Sequence, residues 1–240
     1  MQPEARIAWV TGAAGGIGQA TLARLVAAGF HVEACDLHPL AGPADGPVRW
    51  SRLDVTNEAA VAAAAADIGG RLGRLDAVVH LAGRAGRGPL AAMSLAEWRE
   101  GLEVNLTSAF LLCRAAHPLL KAGRGALVLM SSTNGLNGGS ALSGPAYAVA
   151  KAGIVNLTRY LAREWAPDGI RVNCVAPGPV DTPMLARLDA ATVQRLLAAT
   201  PLGRLATAND VAQVVERLCG AESAFLTGTV HNVSGGMELD

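Results

Sequence analysis

Short apolar runs alternate with longer alanine-rich stretches along most of the chain. The short runs have the length and the β-branched residues of strands, whereas the longer stretches carry apolar residues at helical spacing. The pattern predicts seven strands, at residues 7–10, 31–35, 48–53, 77–81, 126–130, 170–175 and 229–233. It also predicts one helix that ends at Ala28, one that begins at Glu58, and two long helices over about 95–120 and 145–165.

The predicted strands are apolar at successive positions rather than at alternate ones. Both faces of each strand are therefore expected to be buried, as in a parallel sheet that helices cover on both sides. No change in composition marks a second domain. We predict an α/β fold in which residues 1–240 form a single domain around a doubly wound parallel sheet of about seven strands.

The connection from Pro179 to about Ala206 resembles an insertion. It contains a helical stretch at 190–199, which lies between Pro183 and Pro201. A segment of this kind after a strand can close over a substrate as a lid. It can equally be an ordinary surface helix between two prolines, so both interpretations stay open here.

Composition narrows the class of partner. The 240 residues are 51% hydrophobic and 17% charged, and 20 Lys and Arg balance 20 Asp and Glu. A chain without net charge has no electrostatic reason to bind nucleic acid or an anionic membrane, so we expect a small-molecule partner. No basic segment leads into an apolar one at the start, and no apolar run could span a bilayer, so we expect a cytoplasmic location. The four cysteines show no metal-ligand spacing and are expected to be reduced thiols, without a bound metal.

A glycine-rich segment, residues 11–18, joins the first predicted strand to the first helix and is called the glycine turn below. Glycines permit a tight turn and let the backbone approach a pyrophosphate, whose charge then lies at the helix N-terminus. The alternative is a turn that only packs a helix on a sheet. The dinucleotide interpretation predicts cofactor contacts at the following positions: Gly12, Ala14, Gly15, Gly16, Ile17 and Gly18.

Asp36 stands at the end of the second predicted strand, where a dinucleotide site needs an acidic residue for the ribose hydroxyls. A carboxylate accepts hydrogen bonds from an unmodified ribose but repels a phosphate ester there. Neither Leu37 nor His38 supplies a cation that could neutralise such a phosphate. The sequence therefore favours NAD over NADP, with Leu37 as a further cofactor contact. The alternative is that Asp36 is a solvated turn residue.

Tyr147 and Lys151 lie four residues apart near the start of a predicted helix, so they share one face of it. A nearby ammonium favours the phenolate and lowers the pKa of a tyrosine from its reference near 10. A tyrosine tuned in this way can act as an acid or a base near neutral pH.

Together these features resemble the short-chain dehydrogenase/reductase family, in its compact single-domain branch. The glycine turn, the Tyr147–Lys151 pair, Asn105 within a Glu-Val-Asn-Leu segment, and Pro177 with Gly178 follow the order of that family over essentially the whole chain. The resemblance implies a single-domain Rossmann fold and hydride transfer between NAD and a hydroxyl or carbonyl carbon.

The resemblance also implies roles for particular residues. Tyr147 would be the catalytic acid or base, Lys151 would hold the nicotinamide ribose, Ser132 would orient the substrate oxygen, and Asn105 would anchor a water that connects Lys151 to solvent. Further cofactor contacts would come from residues that follow the strands: Asp54, Val55, Ala82, Gly83, Pro177, Gly178, Val180 and Thr182.

The chain departs from the family pattern at three places. Asn134 occupies the position thirteen residues before Tyr147 at which the family has its serine, so Ser132 is assigned with an inferred two-residue insertion, and Ser131 is the alternative. His80 replaces an asparagine, either as a tuned group near the cofactor or as a packed core residue. Ser234 replaces an aspartate near the C-terminus, which concerns packing or assembly rather than chemistry.

The sequence says less about the substrate. Leucines at 185, 188, 196 and 197, together with Met184, Ala141 and Leu142, suggest a mainly apolar pocket, although a packed helix needs the same spacing. We expect a small to medium secondary alcohol, cyclic alcohol or ketone as the substrate. The predicted substrate contacts are Ser132, Asn134, Leu142, Tyr147, Gly178 and Met184.

Assembly and two competing functions are also expectations at this point. The two long helices are apolar around much of their circumference, and their family counterparts pack between subunits, so we expect a homotetramer. One competing function is a 3-oxoacyl thioester (acyl carrier protein) reductase, which normally uses NADPH. The other is a non-catalytic dinucleotide-sensing regulator.

Overall fold

A seven-stranded parallel sheet forms the centre of the molecule. The computed structural model describes residues 5–40, 46–183, 185 and 188–239. The strands are β1 (Arg6–Thr11), β2 (Phe30–Asp36), β3 (Val48–Arg52), β4 (Ala77–His80), β5 (Ala126–Met130), β6 (Arg171–Pro177) and β9 (Val230–Val233), and they lie in the order β3-β2-β1-β4-β5-β6-β9. The strand order reverses between β1 and β4. Ligands of open α/β sheets bind at the carboxyl ends of the strands beside such a reversal.

Helices cover both faces of this sheet. They are α1 (Gly16–Ala27), α2 (Glu58–Leu72), α3 (Leu95–Leu102), α4 (Ser108–Gly123), α5 (Asn134–Asn137), α6 (Pro145–Trp165), α7 (Ala190–Ala198) and α8 (Ala208–Cys219). Buried side chains of α2, α4 and α6 pack on one face, and those of α1 and α8 pack on the other. Because successive strand residues point to opposite faces, Trp9 belongs to the first core and Val10 to the second.

The predicted fold is confirmed: a single Rossmann-fold domain with a parallel sheet and helices around it. Element boundaries differ from the predicted ones by only a few residues. The predicted long helix over about 95–120 is helical throughout, but a π-helical turn (Glu103–Thr107), called the π turn below, divides it into α3 and α4.

The single-turn helix α5, helix α8 and two short strands were not predicted. Helix α8 begins with a Thr207–Asp210 capping box and buries Val211, Val215 and Leu218 at helical spacing, so its sequence carries a clear signal. Strands β7 (Val180–Asp181) and β8 (Ala206–Thr207) form a two-stranded parallel sheet at the two ends of the 179–206 connection. Strands of two residues are too short to produce a periodic pattern.

Candidate functional site

The glycine turn lies at the carboxyl end of β1, and at Gly12 and Gly18 it is packed too closely for a side chain. Gly12 has a φ of +70°, and a Cβ atom there would lie 2.5 Å from the backbone nitrogen of Ala82. A Cβ atom on Gly18 would lie 2.4 Å from the carbonyl oxygen of Gly12. Gly15 is the N-cap of α1 and offers no side chain to its amides, so these N–H groups remain available to an anion.

A cavity of about 930 Å³ opens at the carboxyl ends of the strands, beside the reversal of strand order. Its lining includes every residue predicted for the cofactor except Asn105. It also includes Ser132, Asn134, Leu142 and Gly178 of the predicted substrate contacts, whereas Met184 lies outside the described residues. Residues from many separate segments of the sequence thus meet around one space.

Asp36 forms one end of this cavity. Its Oδ2 atom accepts a hydrogen bond from the backbone N–H of Ala14 at 3.0 Å, and its Oδ1 atom accepts one from the N–H of His38 at 3.1 Å. The carboxylate is therefore held beside the glycine turn. The pairing register of β2 and β3 places Arg52 next to Asp36, but Arg52 does not line the cavity.

Asp54 follows β3 at the same end of the cavity. Its Oδ1 atom accepts hydrogen bonds from both the hydroxyl and the backbone N–H of Thr56, at 2.6 and 2.9 Å. These bonds hold the pKa of Asp54 below its ordinary value, so the group is a carboxylate at neutral pH.

Tyr147 and Lys151 lie at the other end of the cavity, on the first turns of α6. The Lys151 Nζ atom lies 5.5 Å from the centre of the Tyr147 ring and donates to the carbonyl oxygen of Met130 at 2.8 Å. Only 3% of Lys151 is exposed, and burial lowers its pKa to about 8. A lysine ammonium in water keeps its ordinary pKa. The lowered pKa of Lys151 instead lies close to neutral pH, so this ammonium can lose and regain a proton there.

The two serines at the end of β5 have different surroundings. The Ser131 hydroxyl donates to the carbonyl oxygen of Lys151 at 2.7 Å, which commits it to holding β5 against α6. The Ser132 hydroxyl accepts from the backbone N–H of Asn134 at 3.2 Å and keeps its own hydrogen available to a ligand in the cavity. Ser132 is therefore better placed than Ser131 to bind a substrate oxygen.

Asn105 lies in the π turn and is 1% exposed. Its Oδ1 atom accepts from the backbone N–H of Arg84 at 3.0 Å, and its Nδ2 atom donates to the carbonyl oxygens of Arg84 and Gly101 at 3.0 and 2.9 Å. Both hydrogens of the amide are used, so the side chain could accept a hydrogen bond from a water but could not donate one. A Cβ atom on Gly83 would lie 2.8 Å from this Oδ1 and 3.2 Å from the Lys151 Nζ, which shows how closely the two side chains approach.

His80 is a core residue and does not line the cavity. Its ring lies between the hydroxyls of Thr11, 2.7 Å from Nδ1, and Ser108, 3.1 Å from Nε2. Burial lowers the pKa of His80 to about 3, and the charge of Lys151 acts in the same direction. Of the two interpretations left open above, the packed core residue agrees with this position.

Several lining residues were not predicted. They are contributed by the loop after β4, the α5 region and the C-terminal segment, and include Arg84, Asn137, Ser140 and Met237. Leu185, Leu188 and Leu196 of the lid candidate, which the sequence suggested as pocket residues, also line the cavity. Arg84 directly follows the predicted Gly83, so its position gave a signal. Met237 gave no signal, because it reaches the cavity only through the pairing of β9 with β6, which places Val233 beside Gly178.

Comparison with known proteins identifies the family. A family model described as enoyl-(acyl carrier protein) reductase matches residues 12–238. The solved structure of a short-chain dehydrogenase/reductase from Brucella melitensis, described as glucose/ribitol dehydrogenase, has a TM-score of 0.88 and 31% sequence identity, over 98% of this chain and 97% of that one. The chain belongs to the short-chain dehydrogenase/reductase family. It is therefore an oxidoreductase of a family that binds a nicotinamide dinucleotide.

Two curated relatives in the family match nearly the whole chain. One is cis-4-hydroxycyclohexanecarboxylate dehydrogenase of Sinomonas cyclohexanicum, 39% identical over 240 residues that cover 96% of each chain. The other is 3-oxoacyl-[acyl-carrier-protein] reductase of Escherichia coli, 35% identical over 247 residues that cover 100% of each. The two names describe different substrates, so membership in the family leaves the substrate of this chain to be inferred from its own cavity.

Two further features concern partners. Within the described ranges no helix has the length and hydropathy needed to cross a bilayer. The same part of the chain contains no group of three or more His, Cys, Asp or Glu side chains arranged to hold a metal, and the four cysteines are free and buried.

Proposed function

We propose that this short-chain dehydrogenase/reductase uses NAD to interconvert a secondary alcohol and a ketone, with Tyr147, Lys151, Ser132 and Asn105 as its catalytic set. The observation that carries the proposal is the arrangement of one cavity. Tyr147 and Lys151 lie at one end and Asp36, bonded to Ala14 of the glycine turn, lies at the other.

The residues of the cavity fit a dinucleotide. The uncapped N-terminus of α1 offers amides to a pyrophosphate, and a Cβ atom on Gly15 would meet only the Gly12 carbonyl oxygen, so the backbone is open to a ligand there. The Asp36 carboxylate can accept hydrogen bonds from two ribose hydroxyls. It would repel a 2′-phosphate, and no Lys or Arg among the described lining residues stands at that end. This charge pattern supports NAD over NADP.

The remaining steps belong to side chains of the chain itself. Bound NAD would supply the hydride acceptor for oxidation of the alcohol carbon, and its reduced form would supply the hydride for reduction of the ketone. The phenolate oxygen of Tyr147 takes the hydroxyl proton during oxidation, and the phenol returns a proton during reduction. The Lys151 ammonium stabilises that phenolate across the 5.5 Å between Nζ and the ring centre.

Ser132 and Asn105 complete the set in different ways. The Ser132 hydroxyl donates to the substrate oxygen and holds it beside Tyr147. The Asn105 side chain holds the backbone of Arg84 in place. In this proposal Asn105 also anchors the water through which the Lys151 ammonium exchanges its proton with solvent.

The substrate end of the cavity is mainly apolar. Leu142, Leu185, Leu188, Leu196 and Met237 line it, and Asn134 adds a carboxamide near Ser132. We propose a small or medium secondary alcohol, with cyclic alcohols first because the Sinomonas relative is named for a hydroxycyclohexane substrate. In this proposal the 179–206 connection is the lid over that end.

The test follows reduced-nicotinamide absorbance with NAD, and separately with NADP, across aliphatic, cyclic, aromatic and carboxylate-bearing secondary alcohols. We expect turnover with NAD. Tyr147→Phe should bind NAD with unchanged affinity while turnover falls by about two to four orders of magnitude. Ordinary turnover in Tyr147→Phe contradicts the mechanism. NAD binding without turnover of any alcohol or ketone would instead support the dinucleotide-sensing regulator.

A 3-oxoacyl thioester reductase is the second candidate, supported by the full-length match to the Escherichia coli enzyme. This candidate requires that the protein reduces a 3-oxoacyl thioester and that it prefers reduced NADP to reduced NAD. Asp36 argues against that preference. Measuring both reduced cofactors with the same 3-oxoacyl thioester separates the two candidates.

A further inference from the structure

His80 stands where the family pattern has an asparagine, and the function described above does not use it. It is 2% exposed, at the end of β4, between the strand that leads into the glycine turn and the helix that follows the π turn. We propose that His80 is a positioning residue that ties the glycine turn to the π turn, and through them the cofactor site to Asn105 and Lys151. The inference rests on the roles proposed above for those residues.

The hydrogen bonds around the ring indicate one tautomer. The Ser108 hydroxyl donates to the carbonyl oxygen of Val104 at 2.7 Å, so it can only accept from His80 Nε2. His80 Nε2 then carries the proton, and Nδ1 accepts from the Thr11 hydroxyl at 2.7 Å. This tautomer makes all three hydrogen bonds. The other neutral tautomer would need the Ser108 hydrogen for Nε2 and would leave Val104 without it.

The Ser108 bond is tied to the π turn itself. The backbone N–H of Ser108 donates to the carbonyl of Glu103, one residue farther back than the carbonyl of Val104 that an α-helix would use. The Ser108 hydroxyl supplies a hydrogen to that Val104 carbonyl instead. Because His80 fixes the direction of this hydroxyl, it supports the π turn, in which Asn105 directly follows Val104.

The Thr11 bond leads to the cofactor end. Thr11 immediately precedes Gly12, and its carbonyl accepts from the N–H of Leu81, the residue after His80. The Lys151 charge lowers the pKa of His80, because a protonated ring would place a second cation near this ammonium. The buried ring therefore works as a neutral bridge with one accepting and one donating nitrogen.

Two single-residue changes separate the two halves of the bridge. Thr11→Val removes the hydroxyl that bonds Nδ1, so the Kd for NAD should rise about fivefold while kcat at saturating NAD is retained. Ser108→Ala removes the support of the π turn, so kcat should fall about fivefold while the Kd for NAD is retained. His80→Asn keeps an acceptor for Thr11 but does not reach Ser108, so it should preserve the Kd and lower kcat.

The chain offers a matched control for each change. Thr21 is a buried threonine in α1 whose hydroxyl has no partner in the part of the chain that the structure describes, so Thr21→Val makes the same substitution without losing a bond. Ser223 is buried after α8 and its hydroxyl donates to the carbonyl of Arg217 at 2.8 Å, so Ser223→Ala loses a comparable bond away from the cavity. Both controls should leave Kd and kcat unchanged.

Nitrogen NMR of the ¹⁵N-histidine-labelled protein, assigned with His80→Asn, tests the bridge directly. We expect a neutral His80 with the proton on Nε2 throughout the neutral pH range. A proton on Nδ1, or a Thr11→Val and Ser108→Ala pair that matches the controls in Kd and kcat, overturns the proposal. The tautomer and the Kd are measured without substrate, so they decide the role of His80 even if the alcohol panel gives no turnover.

Discussion

Lys151 and Asp36 are the residues on which the chemistry and the cofactor choice depend. Lys151 is an ammonium buried between β5 and α6, with the Met130 carbonyl as a hydrogen-bond partner. Asp36 is a carboxylate that two backbone amides hold at the mouth of the glycine turn. The burial of the Lys151 charge costs stability, and the position of the Asp36 charge selects between cofactors. Both effects can be measured.

The burial of Lys151 should appear in the pH dependence of stability. Its pKa is about 8 in the folded cofactor-free protein, against an ordinary 10.5, so between these pH values the unfolded chain binds more protons. The free energy of unfolding should therefore rise as pH increases through this interval, by up to about 3 kcal/mol. The Lys151 contribution can be isolated by urea unfolding from about pH 7.5 to 10. The measurement compares the free energy of unfolding of Tyr147→Phe with that of the double variant Tyr147→Phe, Lys151→Met. A constant difference between the two variants would show that the lysine is not buried in this way.

The charge of Asp36 should determine cofactor preference. Replacing Asp36 by Ala and Leu37 by Arg removes the repulsion of a 2′-phosphate and supplies a cation, so the NADP-to-NAD ratio of kcat/KM should rise about tenfold or more. Asp36→Asn is the control, because it keeps the shape and removes only the charge. If the ratio stays the same in the double variant, Asp36 is not the ribose ligand.

At the scale of elements, the lid candidate depends on the start of α7. The Asp189 carboxylate accepts from the backbone N–H of Thr192 at 2.7 Å and from its hydroxyl at 3.1 Å. Thr192 is the only buried residue of α7 among those described, so packing against the core stabilises this helix only weakly. The Asp189 N-cap therefore contributes much of its local stability.

Asp189→Ala should therefore loosen α7 at a cost of about 1 kcal/mol of local stability. We expect a higher KM for the alcohol, an unchanged Kd for NAD, and faster proteolysis within 179–206. Ser94→Ala is the matched control, because Ser94 is the N-cap of α3 and does not line the cavity. An unchanged KM in Asp189→Ala would favour the alternative of an ordinary surface helix.

At the scale of the whole molecule, large apolar side chains remain on the outside of the two long helices. Phe110 of α4 is 48% exposed, and Val149 and Tyr160 of α6 are 49% and 62% exposed. Side chains of this size on neighbouring helices form a surface that association with another copy would remove from water.

We expect a homotetramer in solution, with a light-scattering mass close to four times 24.5 kDa. The double variant Phe110→Glu, Tyr160→Glu should dissociate into smaller species, because burying two carboxylates without partners opposes association. Leu202→Glu serves as control, since Leu202 is 71% exposed but lies on neither helix. A monomeric mass for the wild-type protein would reject the assembly.

The sequence by itself determined the order of the seven sheet strands along the chain, the glycine turn, the shared face of Tyr147 and Lys151, and an acidic residue at the end of β2. These features are local: hydrophobic period, glycine spacing and helical spacing are properties of a few neighbouring residues. Helix α8 has the same kind of signal, in its capping box and its apolar spacing, and was predictable in principle.

Only the tertiary structure decided the π turn between α3 and α4, the commitment of Ser131 to Lys151, the use of both amide hydrogens of Asn105, and the bridge through His80. The last three depend on partners from distant parts of the sequence, such as Thr11 and Ser108 for His80. Side-chain hydrogen bonds of this kind leave no period in the sequence. Their partners are brought within bonding distance only when strands and helices pack together.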